Sequence, residues 1–142
     1  EGGTRMPFIV RWPGRVKAGT TTGAIISQVD FPATFAALAG TTFPNARGQD
    51  STNQLPALLG ESATGRASVL EHTQFANTVA VRSGDWKLIP AVEKKKAKSP
   101  ARLYNLAKDP AEQNNLAKEN PEKVAELAKL LPLKVAQETA GD

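Results

Sequence analysis

Ala80-Val81-Arg82-Ser83-Gly84-Asp85-Trp86-Lys87-Leu88-Ile89 is the stretch that decides how the second half of this chain folds. Two apolar runs, Thr78 to Arg82 and Trp86 to Ile89, are joined by Ser83-Gly84-Asp85. A glycine inside a short connection between such runs is a hairpin signal, because glycine enters the left-handed turn conformations without steric cost. Trp86 is the expected core anchor. On either side lie two more short runs, Ala67 to Thr73 and Arg102 to Leu106. Sequential strands with short connections predict an antiparallel sheet.

Working outward toward the C-terminus, Asp109-Pro110 starts a turn or a short helix that runs to Leu116. The aspartate accepts hydrogen bonds from the turn and the proline presets its first φ. Asn120-Pro121-Glu122 combines an N-cap residue, a proline at the first helical position and an acidic first turn, which predicts a helix. Val124, Leu127 and Leu131 fall on one face of that helix, and Pro132 ends or kinks it. The tail from about Ala136 is expected to fray.

Toward the N-terminus, Phe8 to Trp12 is an apolar run closed by Pro13-Gly14. It reads as a buried strand of a parallel sheet. Ala24 to Ile26 reads as a further brief strand. Asp30 is the expected N-cap of a helix whose apolar face is Phe31, Phe35 and Leu38, closed by Gly40. A second short helix is expected from about Thr52 to Leu59, closed by Gly60.

Composition excludes several chemistries. The 142 residues contain no cysteine, which removes disulfides, thiolate metal sites and cysteine nucleophiles. His72 is the only histidine, so a two-histidine mechanism is excluded within this chain. No apolar run is long enough to span a membrane. The net charge of +4 is concentrated in Lys94, Lys95, Lys96 and Lys98. A nucleic-acid contact and a solvated loop are the two readings of this cluster. No aromatic residue is interleaved with the lysines and no nucleic-acid motif surrounds them, so the solvated loop is taken. By themselves, the residues identify no catalytic set.

Five blocks, in order, resemble the sulfatases of the alkaline-phosphatase-like superfamily. The first is Glu1-Gly2-Gly3-Thr4-Arg5-Met6-Pro7-Phe8-Ile9-Val10-Arg11-Trp12-Pro13-Gly14. It is similar to the segment that follows the family's last catalytic lysine. Val29-Asp30-Phe31 through Leu38-Ala39-Gly40 resembles the next family helix. Asp50-Ser51 with Leu55-Pro56-Ala57-Leu58-Leu59-Gly60 is similar to the segment after it, and the Ala80–Ile89 stretch is the fourth block. Leu103-Tyr104-Asn105-Leu106 with Asp109-Pro110, Glu112 and Asn115-Leu116 resembles the family's C-terminal signature.

The resemblance implies an α/β fold. Residues 1–62 would be the end of the large catalytic domain, contributing a strand and a helix to it. Residues 63–142 would be a small C-terminal subdomain, an antiparallel sheet packed with a helix. It implies sulfate-ester hydrolysis in the intact enzyme, on a small-molecule or carbohydrate ester, by a formylglycine nucleophile helped by calcium, outside the cytoplasm. This chain lacks the formylglycine motif: it has no cysteine, and no serine has both the Pro/Ala and the Arg that the motif requires. No cofactor is therefore expected in this chain, and the fragment is expected to be inactive.

Two readings of His72 stand open, substrate contact and an ordinary strand histidine, and Glu71 shares them. Glu1 and Arg5 are candidates for supporting the adjacent active-site segment. No nucleic-acid or membrane partner is expected. With its sheet neighbours elsewhere, the Phe8–Trp12 run would either capture a strand from another copy or leave the first third loosely held. A phosphate or phosphonate ester hydrolase of the same superfamily and a non-catalytic folded module are the alternative functions.

Overall fold

The computed structural model describes residues 3–43, 50–72, 79–94 and 97–131, with the side chains of 93, 94, 97 and 98 excepted. Glu1, Gly2, Thr73 to Thr78, Lys95, Lys96, Pro132 and the tail after it lie outside the described residues. The chain forms two compact units, Pro7–Ala67 and the described parts of Glu1–Met6 with Ser68–Asp142.

The second unit is built on the hairpin. Strands β1 (Ser68–His72), β2 (Val79–Ser83), β3 (Trp86–Ile89) and β6 (Arg102–Asn105) form one antiparallel sheet in the order β1-β2-β3-β6. Ser83 pairs with Trp86, so the turn is only Gly84-Asp85. Gly84 has φ +54° while Asp85 is not left-handed, the pattern of a turn with glycine at its first central position. Helix α3 (Pro121–Ala128) covers one face. Val81, Leu88 and Leu103 line up across three strands and pack with Val79, Leu127 and Leu131. Val124 packs at the edge of this cluster, as its place on the helix face predicts. Trp86 is only half-buried; Leu88 and Leu103 are the buried anchors instead. Ala80, Ile89, Tyr104 and Leu106 form a second cluster.

β6 is an edge strand, and its outer side is not left bare. Leu116 N–H donates to Leu103 O at 2.8 Å, and Asn115 Oδ1 accepts from Leu103 N–H at 3.0 Å. Asn115 Nδ2 donates to Ala101 O at 3.2 Å. The loop thus supplies the partners a further strand would have supplied. It is shaped by Asp109, whose carboxylate accepts from Gln113 N–H at 3.1 Å and from Asn114 N–H at 2.7 Å. Residues 109–116 are turns rather than a helix.

The lysine-rich stretch departs from the expected loop. Val92–Lys94 (β4) and Ala97–Ser99 (β5) pair as a two-stranded hairpin. The register sets Glu93 opposite Lys98.

The first unit is mostly irregular. A 3₁₀ turn (Gln28–Asp30) leads into α1 (Phe31–Leu38), and α2 (Leu55–Leu58) follows. Gly40 and Gly60, at φ +73° and +77°, close these helices in the left-handed conformation. Neither expected strand forms. Residues 7–12 and 24–26 are extended or irregular without ladder pairing. A strand needs a neighbour for its N–H and C=O groups, and among the described residues no strand lies beside either run. Phe8 and Ile9 are exposed rather than buried. The second run is held by a bond from Arg66 N–H to Ile25 O at 2.8 Å. Gly65 permits that approach: a Cβ there would sit 2.1 Å from Ile25 O.

Leu127 is 1% exposed in the α3–sheet core, whereas Leu130, in the turn just after the helix, is 45% exposed. We expect Leu127→Ala to destabilise this unit by about 2–5 kcal/mol and Leu130→Ala by under about 1 kcal/mol. Urea denaturation followed by far-ultraviolet circular dichroism checks the contrast.

Candidate functional site

Side chains alternate along a strand, so Lys87, between Trp86 and Leu88, points away from α3. It is buried. A lysine there needs opposite charge, and two carboxylates provide it. Nζ lies 2.7 Å from Glu71 Oε2 and 2.8 Å from Glu112 Oε1. Glu71 comes from β1 and Glu112 from the loop after β6. Glu112 is the only described non-glycine residue with positive φ, +56°. That conformation costs on the order of 1–2 kcal/mol for such a residue. The charge contact with Lys87 stands against this cost.

Burial alone would lower the lysine pKa, but hydrogen bonds and Coulomb attraction from Glu112 and Glu71 outweigh it and raise the value to about 12. Burial likewise pushes Glu112 up, and the contact with Lys87 pulls it below the ordinary carboxylate value. At neutral pH Lys87 is therefore an ammonium. It cannot serve as a nucleophile or a general base, and the cluster acts as an ionic clasp. Asp109 is also lowered, by the backbone N–H groups of Asn114 and Gln113, in keeping with its place in the turn.

His72 ends β1 and is exposed. It pairs with Val79, on the strand face opposite to that of Glu71. Arg5 is exposed. Glu1 lies outside the described residues. The segments that carry Arg5 and His72 meet through their neighbours, because Thr4 Oγ1 donates to Glu71 Oε2 at 3.4 Å. Sequence reading grouped Glu71 with His72 and missed Lys87 as a buried charge. The available signal was a lysine flanked by Trp86 and Leu88 inside the apolar half of a hairpin.

In the first unit Asp30 plays a comparable part. Its carboxylate is fully buried and does not cap α1. It accepts from Ser27 N–H at 3.0 Å, from Thr52 N–H at 3.0 Å and from Thr52 Oγ1 at 2.9 Å, and it pairs with Arg66. Thr34 Oγ1, also buried, accepts from Gln54 N–H at 2.9 Å. The expected helix cap is instead the node that ties the 3₁₀ turn, the segment before α2 and Arg66 together.

Among the described residues, no three His, Asp or Glu side chains gather as a metal site. The sequence offers no formylglycine motif.

The family model for N-sulphoglucosamine sulphohydrolase, C-terminal, matches residues 1–140. The chain belongs to this sulfatase family. It is 41% identical over 141 residues to an N-acetylgalactosamine-6-O-sulfatase of Bacteroides thetaiotaomicron, covering 92% of this chain and 27% of that protein. Arylsulfatase G of Canis lupus familiaris is 38% identical over 93 residues, covering 61% of this chain and 17% of that protein. Among solved structures, a sulfatase from a glycosaminoglycan-metabolism locus of Bacteroides thetaiotaomicron superposes with a TM-score of 0.73 at 39% identity. The superposition covers 87% of this chain and 28% of that one. A second, solved with its substrate D-glucosamine-2-N,6-O-disulfate, gives a TM-score of 0.65 at 28% identity, covering 92% of this chain and 28% of that one. The sulfatase chain thus spans between about a sixth and just over a quarter of the length of these relatives. Its fold is the α/β class expected, with a four-stranded antiparallel sheet.

Removing the Lys87 ammonium leaves two carboxylates facing each other. We expect Lys87→Ala to cost about 3–5 kcal/mol of stability and Lys87→Met less than that when Glu71→Gln and Glu112→Gln accompany it. Thermal melts of the variants measure both. The pH profile has two limbs. The folded Lys87 pKa lies above its unfolded value, so its contribution is complete below about 10.5 and is lost as pH rises through about 12. The folded Glu112 pKa is depressed, so its contribution is present above 4.5 and is lost as pH falls through the lowered folded value. Melting temperature against pH should fall on both sides, and Lys87→Met with both Gln substitutions should flatten both limbs.

Proposed function

We propose that this chain is the C-terminal portion of an enzyme that hydrolyses sulfate esters, and that the ester is a 6-O-sulfate on an amino sugar of a glycosaminoglycan. One observation carries the reading: the 41% identity, over 92% of this chain, to an N-acetylgalactosamine-6-O-sulfatase. The similarity to a sulfatase solved with a 6-O-sulfated glucosamine supports the same sugar class.

In this reading the nucleophile and calcium come from the part of the polypeptide that this chain does not include, and the chain alone turns over no ester. Residues 1–62 belong to the catalytic domain, and residues 63–142 form a subdomain that presents groups to the substrate. His72 contacts the substrate; its exposure at the end of β1 leaves the imidazole accessible. Arg5, with Glu1, supports the active-site segment, and the Thr4–Glu71–Lys87 chain of contacts holds that segment beside β1. The enzyme acts outside the cytoplasm, where sulfated polysaccharides are met.

The test is an assay of the full-length gene product on 6-O-sulfated N-acetylgalactosamine and on matched phosphate and phosphonate esters. Sulfate release by the full-length protein and none by this chain is expected. His72→Ala should raise KM about tenfold, the equivalent of one lost hydrogen bond of about 1.4 kcal/mol. Phosphate or phosphonate cleavage without sulfate release would replace the reading with the superfamily's other chemistry. No cleavage of any ester would leave a non-catalytic module.

A further inference from the structure

Helix α1 is built inside out for a free-standing domain. The side chain it buries is a threonine, Thr34, next to the buried carboxylate of Asp30. Its large apolar side chains face solvent: Phe35 is 57% exposed and Leu38 44%. The exposure continues off the helix. Phe8 stacks on Phe31 with ring centroids 5.8 Å apart, and Phe31 stacks on Phe35 at 5.6 Å. Phe8 and Ile9 are 56% and 88% exposed. The three stacked rings, with Leu38 one turn beyond Phe35, make an apolar surface on the Pro7–Ala67 unit, rather than the scattered single residues of an ordinary surface.

We infer that this aromatic face is an interface, and that its occupant is the remainder of the same sulfatase polypeptide. Two observations choose that occupant. The chain spans only 27% of the length of its 41%-identical relative, so most of such a polypeptide lies beyond these residues. The extended run from Pro7 to Trp12 has no ladder partner among the described residues, so the same surface offers backbone donors and acceptors beside the rings. An interface that joins exposed aromatics to unpaired backbone suits a sheet and its covering layer within one domain better than a small ligand. The inference rests on the proposed reading of the chain as part of a longer sulfatase, and it deepens that reading by naming the surface through which the chain joins the rest.

The cysteine-free sequence supplies the probe. Phe35→Cys and Leu38→Cys are placed singly in this chain and in the full-length gene product, with Lys118→Cys as an exposed control on the other unit. Iodoacetamide labelling is read at each position by peptide mass spectrometry. Positions 35 and 38 should label readily in the chain alone and at least tenfold more slowly in the full-length protein, while position 118 labels equally in both. Where one core-facing variant fails to fold at full length, the other gives the reading. Equal labelling at positions 35 and 38 in both proteins overturns the inference. Protection in the chain alone, with a dimer mass by light scattering, overturns it in favour of a second copy as the occupant. Loss of sulfate-ester turnover with protection intact would instead count against the proposed function and leave the interface standing.

Discussion

A charge removed from water must be met by opposite charge or by several hydrogen bonds, because the alternative is a penalty of several kcal/mol per ion. Among the described residues, Lys87 is such a charge in one unit and Asp30 in the other, and irregular segments are arranged around each. In the sheet unit, Lys87 draws Glu71 from β1 and Glu112 from the loop beyond β6 to one point. In the other unit, Asp30 gathers Ser27, Thr52 and Arg66. Both choose the paths of loops that apolar packing alone would leave undetermined.

This gives a physical meaning to blocks that mark the chain as a sulfatase. The Trp-Lys-Leu run in β3 alternates a core-facing residue, a clasp residue and a core-facing residue. Asp109, Glu112 and Asn115-Leu116 are successive parts of one loop: a turn former, a clasp carboxylate and an edge cover for β6. Asp30 and Thr34 make the polar interior of the Pro7–Ala67 unit. The motifs are architectural, which fits a portion of a sulfatase that carries no nucleophile motif of its own. They also explain why a reading confined to catalytic side chains stops early here: nearly every ionisable group in a distinctive position is committed to a neighbour.

Of the candidate site, little was legible beforehand. His72 was singled out by being the only histidine, and Arg5 and Glu1 by their place in a resembling segment. That Thr4 and Glu71 bring the two regions together depends on a contact between residues far apart in the chain. Asp30 was read as a cap because aspartate before a proline-containing first turn usually is one. The structure directs its carboxylate elsewhere, since Arg66 and Thr52 compete successfully for it.

By itself the sequence determined the local elements of the sheet unit. Short apolar runs placed β1, β2, β3 and β6, Gly84 set the turn between β2 and β3, and the Val124–Leu127–Leu131 stripe set the face that α3 buries. These are near-neighbour properties, in which each residue's backbone preference and its place in a repeat suffice. Tertiary structure alone decided the burial of Lys87, the assignment of Asp30, the β4–β5 hairpin and the fate of Phe8–Trp12. Periodicity reports which side chains share a face but says nothing about what meets that face. A run apolar enough to be a buried strand becomes one only where another strand lies beside it to take up its backbone hydrogen bonds.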